Sequence, residues 1–283
     1  MNKKKSLSHL KRRSILWISK YYRELTSPDR VLPNYIIIGV QKGGTSSLYK
    51  YLLQHPNVVP GYKKEVKFFD GRHHKGLDWY RYNFPFKTQM SDPAAQTGEA
   101  SPSYVFHPLV PQRIREALPN VKLVLLLRDP VTRAYSHYQG NLRKGQEKLS
   151  FKEAIEQEES RLEGEKESII ADQHYPMYKY LVYSYLARGI YIEQVRNWLK
   201  SFPREQILIQ RSEDLFHNPQ NVYARVLTFL GLPDWKLDNY DIFNYGRYAL
   251  MDPQTEKRLR EYFKPYNQEL YEYLGFDFGW ETQ

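Results

Sequence analysis

Pro33-Asn34-Tyr35-Ile36-Ile37-Ile38-Gly39-Val40-Gln41-Lys42-Gly43-Gly44-Thr45-Ser46-Ser47-Leu48 carries the clearest structural signal in the chain. A short apolar run rich in β-branched residues leads into paired glycines, and hydroxyl residues then open a helical pattern. That order predicts a buried strand delivering the chain into a phosphate-cradling turn. Glycine lets the backbone approach an oxyanion closely and take up positive φ, and the free N–H groups of a helix starting near Thr45 add partial positive charge. Lys42 supplies a full one. Gly39 and Gly44 have the separation of a Walker A loop and Thr45 follows, but a Walker A lysine would directly follow the second glycine, whereas Lys42 lies inside the loop. Lys42, Gly43, Gly44, Thr45, Ser46 and Ser47 therefore read as an anion cradle of a kind other than an ATPase's. An ordinary glycine-containing βα turn is the competing reading.

The second strong signal is Val121-Lys122-Leu123-Val124-Leu125-Leu126-Leu127-Arg128-Asp129-Pro130, followed by Ser136 about two helical turns on. A nearly continuous apolar run predicts a central parallel strand buried on both faces, and Pro130 suits an early helical position. Charged residues at the carboxyl end of such a strand face the crevice where α/β sheets bind ligands. Asp129 is a poor Walker B acid because Arg128 stands between it and the strand. Further alternation supports the α/β class: a helix from Thr45 to Gln54, one from Tyr178 to Leu199, a strand at 206–210, a helix from Pro219 to Leu230 and a Pro253-led helix. The charged stretch 141–172 has the weakest pattern and reads as a mobile lid or an exposed helix.

With 283 residues and no internal repeat or linker, a single large domain is expected after a basic extension over residues 1–30. Nine Lys or Arg against Glu24 and Asp29 put +7 of the +10 formal charge in that extension, so only +3 falls on the rest. A nucleic-acid role argued from overall charge would rest on the tail alone, and none is expected. Ile15, Ile18, Tyr22 and Leu25 keep a helical spacing among basic residues, a pattern that can lie on an anionic membrane surface, with a solvated or frayed extension or packing on the domain as the alternative. No run reaches the length needed to cross a bilayer, and the absence of cysteine excludes disulfides, thiolate metal sites and cysteine nucleophiles. These features fit a cytoplasmic protein, with peripheral membrane contact through residues 1–30 left open.

Three smaller features carry chemistry. Glu65 lies in Lys63-Lys64-Glu65-Val66-Lys67-Phe68-Phe69-Asp70, where a carboxylate on a strand leading out of the core suits a general base and a solvated charge cluster is the alternative. His73 and His74 are adjacent and would point apart on any regular element, which argues against a metal site; His55 fits capping or packing. Arg247, beside Gly246 and before Tyr248, combines close backbone approach with a guanidinium that suits phosphate.

With these residues in place, the chain resembles the sulfotransferases that use 3′-phosphoadenosine 5′-phosphosulfate (PAPS), in particular the glycan type typified by the heparan sulfate N- and O-sulfotransferases. The resemblance runs from about Pro33 to Trp280, with the basic extension and 141–172 weakly covered. It implies a P-loop-like domain over residues 31–283, a central parallel sheet flanked by helices. The opening loop would take the 5′-phosphosulfate, Arg128 and Ser136 the 3′-phosphate, and Gly246, Arg247 and Tyr248 further parts of the nucleotide. Glu65 would be the base and Lys42 the second catalytic group, with no metal, and the acceptor would be a glycan or another hydroxyl- or amine-bearing molecule. One departure stands out: the family usually carries a lysine where this chain has Ala100, so Lys42 alone suffices or Lys63, Lys64 or Lys67 substitutes. A nucleotide kinase or NTPase, and a non-catalytic binder of anionic glycans, are the competing classes.

Overall fold

The computed structural model describes residues 21–241, 243, 246 and 248–282. The opening apolar run forms β1 (Tyr35–Gly39), buried at every position, and the chain turns through 40–44 into helix α1 (Thr45–Leu52). Strand β2 (Gly98–Ala100) pairs with it in parallel, Glu99 beside Ile36 and Ala100 beside Ile37. Helix α2 (Val110–Ala117) precedes β3 (Lys122–Leu127), and Asp129 caps helix α3 (Pro130–Arg143) by accepting from the Val131 N–H at 3.1 Å. Helix α4 (Tyr191–Ser201), β4 (Ile207–Arg211), α5 (Pro219–Leu230) and the long α6 (Pro253–Leu274) complete the set used below.

Among the described residues the sheet has four strands, all parallel, in the order β2-β1-β3-β4, and both of its faces are covered. Strand alternation divides the core cleanly. Ile36, Ile38, Leu123, Leu125 and Leu127 pack on one face with Val66, Phe68, Tyr80, Trp198 and Trp280, whereas Ile37, Val124 and Leu126 pack on the other with Leu48, Leu52, Val226 and Leu227. A third cluster joins α3 to α6 through Val131, Ala134, Phe151, Ile155, Tyr185 and Phe263. The expected α/β sheet with flanking helices is thus observed, and its P-loop-like architecture places β1 and β3 at the centre.

Three sequence expectations are corrected in detail. The Lys63–Asp70 segment is not a strand: it runs irregularly to a short helical turn at Phe68–Gly71, because side chains of 99–104 capture its amides. The helix expected over 178–199 is two, Tyr178–Tyr183 and α4, broken where Gly189 sits so close to Phe263 that an added Cβ would approach its ring to 2.7 Å. The 141–172 stretch holds three short helices, at Phe151–Glu156, Glu158–Leu162 and Glu165–Ala171. Buried Glu147 and Glu158 tie it down: Glu147 accepts from Arg161 Nη1 (2.8 Å) and the Tyr185 hydroxyl (3.0 Å), and Glu158 accepts from the amides of Leu186 (2.7 Å) and Ala187 (2.8 Å). Of the basic extension, three residues within 21–30 hold it to the body: Ser27 Oγ donates to the Asp78 carbonyl (2.7 Å), Arg30 Nη1 to that of Phe84 (2.8 Å), and Arg23 stacks on Tyr62.

Candidate active site

The glycine loop lies at the carboxyl end of β1, as the sheet geometry requires of a ligand-binding crevice. Lys42 and Gly44 both take positive φ, 73° and 86°, which turns the backbone sharply before α1 begins. The loop is pinned from outside: the Val40 N–H donates to the Leu126 carbonyl (2.8 Å), Ser212 Oγ donates to the Gly43 carbonyl (2.9 Å), and Arg128 Nη1 donates to the Lys42 carbonyl (3.0 Å). A Cβ at Gly43 would lie 2.9 Å from Val40 and 3.1 Å from the Leu126 carbonyl, so only glycine fits there.

The Lys42 side chain crosses to α3 and rests against Gly140; a Cβ at Gly140 would come within 2.6 Å of its ammonium. Burial lowers the Lys42 pKa to about 8, with Lys144, Arg143, Arg128 and Arg133 adding repulsion. Among the described residues, Lys42 and these four further cations make a strongly positive site, a character that suits an anion. Arg128 Nε also meets Thr132 Oγ1 at 3.2 Å, and Ser136 is nearly buried further along α3. On the far side, Gly246 stands 3.1 Å by its would-be Cβ from Arg143 Nη1, and Tyr248 packs edge-on against Tyr135 on α3. Arg247 lies outside the described residues.

Glu65 reaches the loop through a lysine. Lys64 Nζ donates to Ser46 Oγ at 2.8 Å and to Glu65 Oε1 at 3.2 Å, and Lys67 Nζ pairs with Glu65 Oε2 at 3.3 Å. Base candidate, lysine and helix-start hydroxyl are therefore contiguous. Thr45 is buried at the first position of α1, and the Ser47 hydroxyl accepts from the Phe243 N–H (3.0 Å), tying α1 to Phe243. Trp79 lies beside Lys63, Arg72 and Lys75, its ring centre 5.1–5.8 Å from each charged group, so the surface next to Glu65 is cationic.

The remaining candidates fall out as structure. His55 is buried, accepting at Nδ1 from the Asn57 N–H (3.0 Å) and donating from Nε2 to the Pro233 carbonyl (2.9 Å). Asp129 is consumed as the α3 cap. Among the described residues no three His, Asp or Glu converge as metal ligands. Sequence reasoning missed Gly140, Arg143, Lys144 and Glu99. A glycine inside the α3 helical pattern was the available signal for the first, since such a residue marks a close approach; nothing in the sequence sets Arg143 or Lys144 apart from other surface cations.

A parallel sheet whose central strand feeds a lysine-bearing glycine loop, facing an arginine at the end of the next strand, defines a phosphate-handling α/β protein. Residues 32–243 match the model of the sulfotransferase domain, and the chain belongs to that family. It is 33% identical over 90% of its length to human heparan sulfate glucosamine 3-O-sulfotransferase 3B1, and 28% identical over 89% to the membrane-associated sulfotransferase kil1 of Dictyostelium discoideum. The chain spans 66% and 67% of those two relatives. Among solved structures, a sulfotransferase from Alicyclobacillus acidocaldarius superposes with a TM-score of 0.69 at 31% identity, over 89% of this chain and 100% of that one.

Proposed function

We propose that the protein moves the sulfuryl group of PAPS to a hydroxyl or amine of a glycan acceptor by in-line displacement. The observation that carries this reading is Lys64, whose ammonium joins Ser46 of the anion loop to Glu65 and so puts a donor site and a base in contact. The loop backbone with Lys42, Gly43, Gly44, Thr45, Ser46 and Ser47 takes the 5′-phosphosulfate, Arg128 and Ser136 take the 3′-phosphate, and Gly246, Arg247 and Tyr248 bind further parts of the nucleotide. The acceptor oxygen or nitrogen forms a bond to sulfur while the bond from sulfur to the bridging phosphate oxygen breaks. That bond's electrons stay on the phosphate, and Glu65 receives the acceptor's proton. Because the donor arrives with its sulfuryl group already activated, catalysis is a matter of alignment and of cations placed where the phosphate gains charge. Lys42 and Lys64 fill that place, and Lys64 stands in for the lysine that the family carries at Ala100.

A glycan acceptor is supported by relatives named for heparan sulfate and by the cationic rim around Trp79. A cytoplasmic site of action, with membrane contact through residues 1–30, is supported by the cysteine-free sequence and by the concentration of basic charge there. Calorimetry tests the donor directly: adenosine 3′,5′-bisphosphate should bind without Mg²⁺ and ATP only weakly, whereas Mg²⁺-dependent ATP binding and turnover would make the protein a kinase or NTPase. Glu65→Gln should lower sulfuryl transfer by about 10²–10⁴ while the nucleotide product still binds; a nearly normal rate would remove Glu65 from its role.

A further inference from the structure

Directly behind Glu65 lies a second carboxylate that the transfer chemistry does not use. Glu99 sits in β2, fully buried, on the sheet face that carries Val66, Phe68, Tyr80 and Tyr104. Each of its oxygens accepts two hydrogen bonds. Oε1 takes the hydroxyls of Tyr80 (2.8 Å) and Tyr104 (3.0 Å), and Oε2 takes the Val66 N–H (3.0 Å) and Ser101 Oγ (2.6 Å). A carboxylate has room for about four such donors, so Glu99 is saturated.

The donors lead straight to the base. Ser101 Oγ also accepts from the Lys67 N–H (3.2 Å), and the Tyr104 hydroxyl accepts from the N–H groups of Phe68 (2.9 Å) and Phe69 (3.4 Å). The Ala100 N–H, next along β2, donates to the Lys64 carbonyl (3.0 Å). The four successive amides of 66–69 are thus held, directly or through one hydroxyl, by a single buried carboxylate. This explains how a segment without regular structure keeps one shape, including the positive φ of 53° at Lys67, two residues after Glu65. Burial pushes Glu99 up to about 7 even against these hydrogen bonds, so retaining an acid here carries a cost that a core filler would not.

We infer that Glu99 is the positioning residue for Glu65: by fixing the Val66 amide and its neighbours it aims the base carboxylate across Lys64 at the anion loop. This rests on the reading of Glu65 as general base. A base displaced by about an ångström costs on the order of 10²-fold in rate. Glu99→Gln keeps the shape and one acceptor oxygen, and should lower kcat about 10- to 100-fold while the affinity for adenosine 3′,5′-bisphosphate and the acceptor KM stay within about threefold of the parent. The deciding measurement is the double variant. If Glu99 acts only through Glu65, Glu65→Gln with Glu99→Gln should be no slower than Glu65→Gln alone. Losses that multiply in the double variant, or a nearly normal kcat in Glu99→Gln, would overturn the inference. Should Glu99→Gln fail to fold, Ser101→Ala removes one donor and the holder of the Lys67 amide, with the same non-additivity expected. A normal rate in Glu65→Gln alone would instead overturn the base assignment, so the two failures are told apart.

Discussion

Lys42 stands half-buried among four other cations, and its pKa of about 8 gives donor binding a pH signature. The free protein carries the proton below about pH 8, and a bound polyanion favours that charged form, so its pKa rises on binding. Affinity for adenosine 3′,5′-bisphosphate should therefore hold up to about pH 8 and then fall by up to about tenfold per pH unit. Titration calorimetry from pH 7 to 9.5 checks this, and Lys42→Met should bind more weakly with a flatter profile. Lys64 belongs to the same scale. Ala100 is buried against Tyr35 and Leu48, on the face opposite Glu99, and Lys64 is the lysine in contact with Ser46. Lys64→Ala should cost about 10²–10³ in kcat, as does the loss of one donor aimed at developing charge. Assays alongside Lys63→Ala and Lys67→Ala would show whether the loss is particular to Lys64.

At the scale of elements, α3 is shaped for its charge as well as for packing. Glycine inside a helix costs about 0.5–1 kcal/mol relative to alanine, yet α3 keeps Gly140, and among the described residues an alanine methyl there would meet only Lys42. Gly140→Ala should leave the melting temperature unchanged or raised while weakening nucleotide binding about tenfold, because the methyl moves the ammonium. A fall in melting temperature would instead mean that the glycine serves packing. The same contrast explains which elements could be read in advance. β1, β3 and α5 declare themselves by apolar runs or helical spacing that local sequence carries. The break at 184–190 and the irregular run at 63–68 follow from distant partners, Phe263 in one case and Glu99, Ser101 and Tyr104 in the other.

For the molecule as a whole, buried carboxylates in the 141–172 layer couple stability to pH. Burial raises Glu158 to about 7 from 4.5, although two amides donate to it. The folded chain then binds this proton more tightly than the unfolded chain. That contribution is complete below about pH 4.5 and is lost as pH rises through about 7. In Glu158→Gln, which cannot ionise, stability relative to the parent should improve by up to about 3 kcal/mol between pH 5 and pH 8. Urea denaturation at the two pH values measures it, and a pH-independent difference would show that Glu158 ionises freely in the folded state. Buried histidines such as His137, lowered by burial and by neighbouring arginines, act in the opposite direction in both proteins and cancel in the comparison.

The α/β class, the glycine loop at Lys42–Ser47, the strand leading to Arg128 and the acidic position Glu65 were all legible in the sequence. Each is written in consecutive residues, as strand and helix period, glycine placement and charge at a strand end. Only the tertiary structure decided which lysine meets Ser46, that Gly140 makes room for Lys42, that Arg143 and Lys144 join the cation cluster, and that Glu99 governs the backbone beside Glu65. Those are relations between segments tens of residues apart. A parallel sheet brings them together by burying its strands, and no local pattern records the distance at which two such segments will meet.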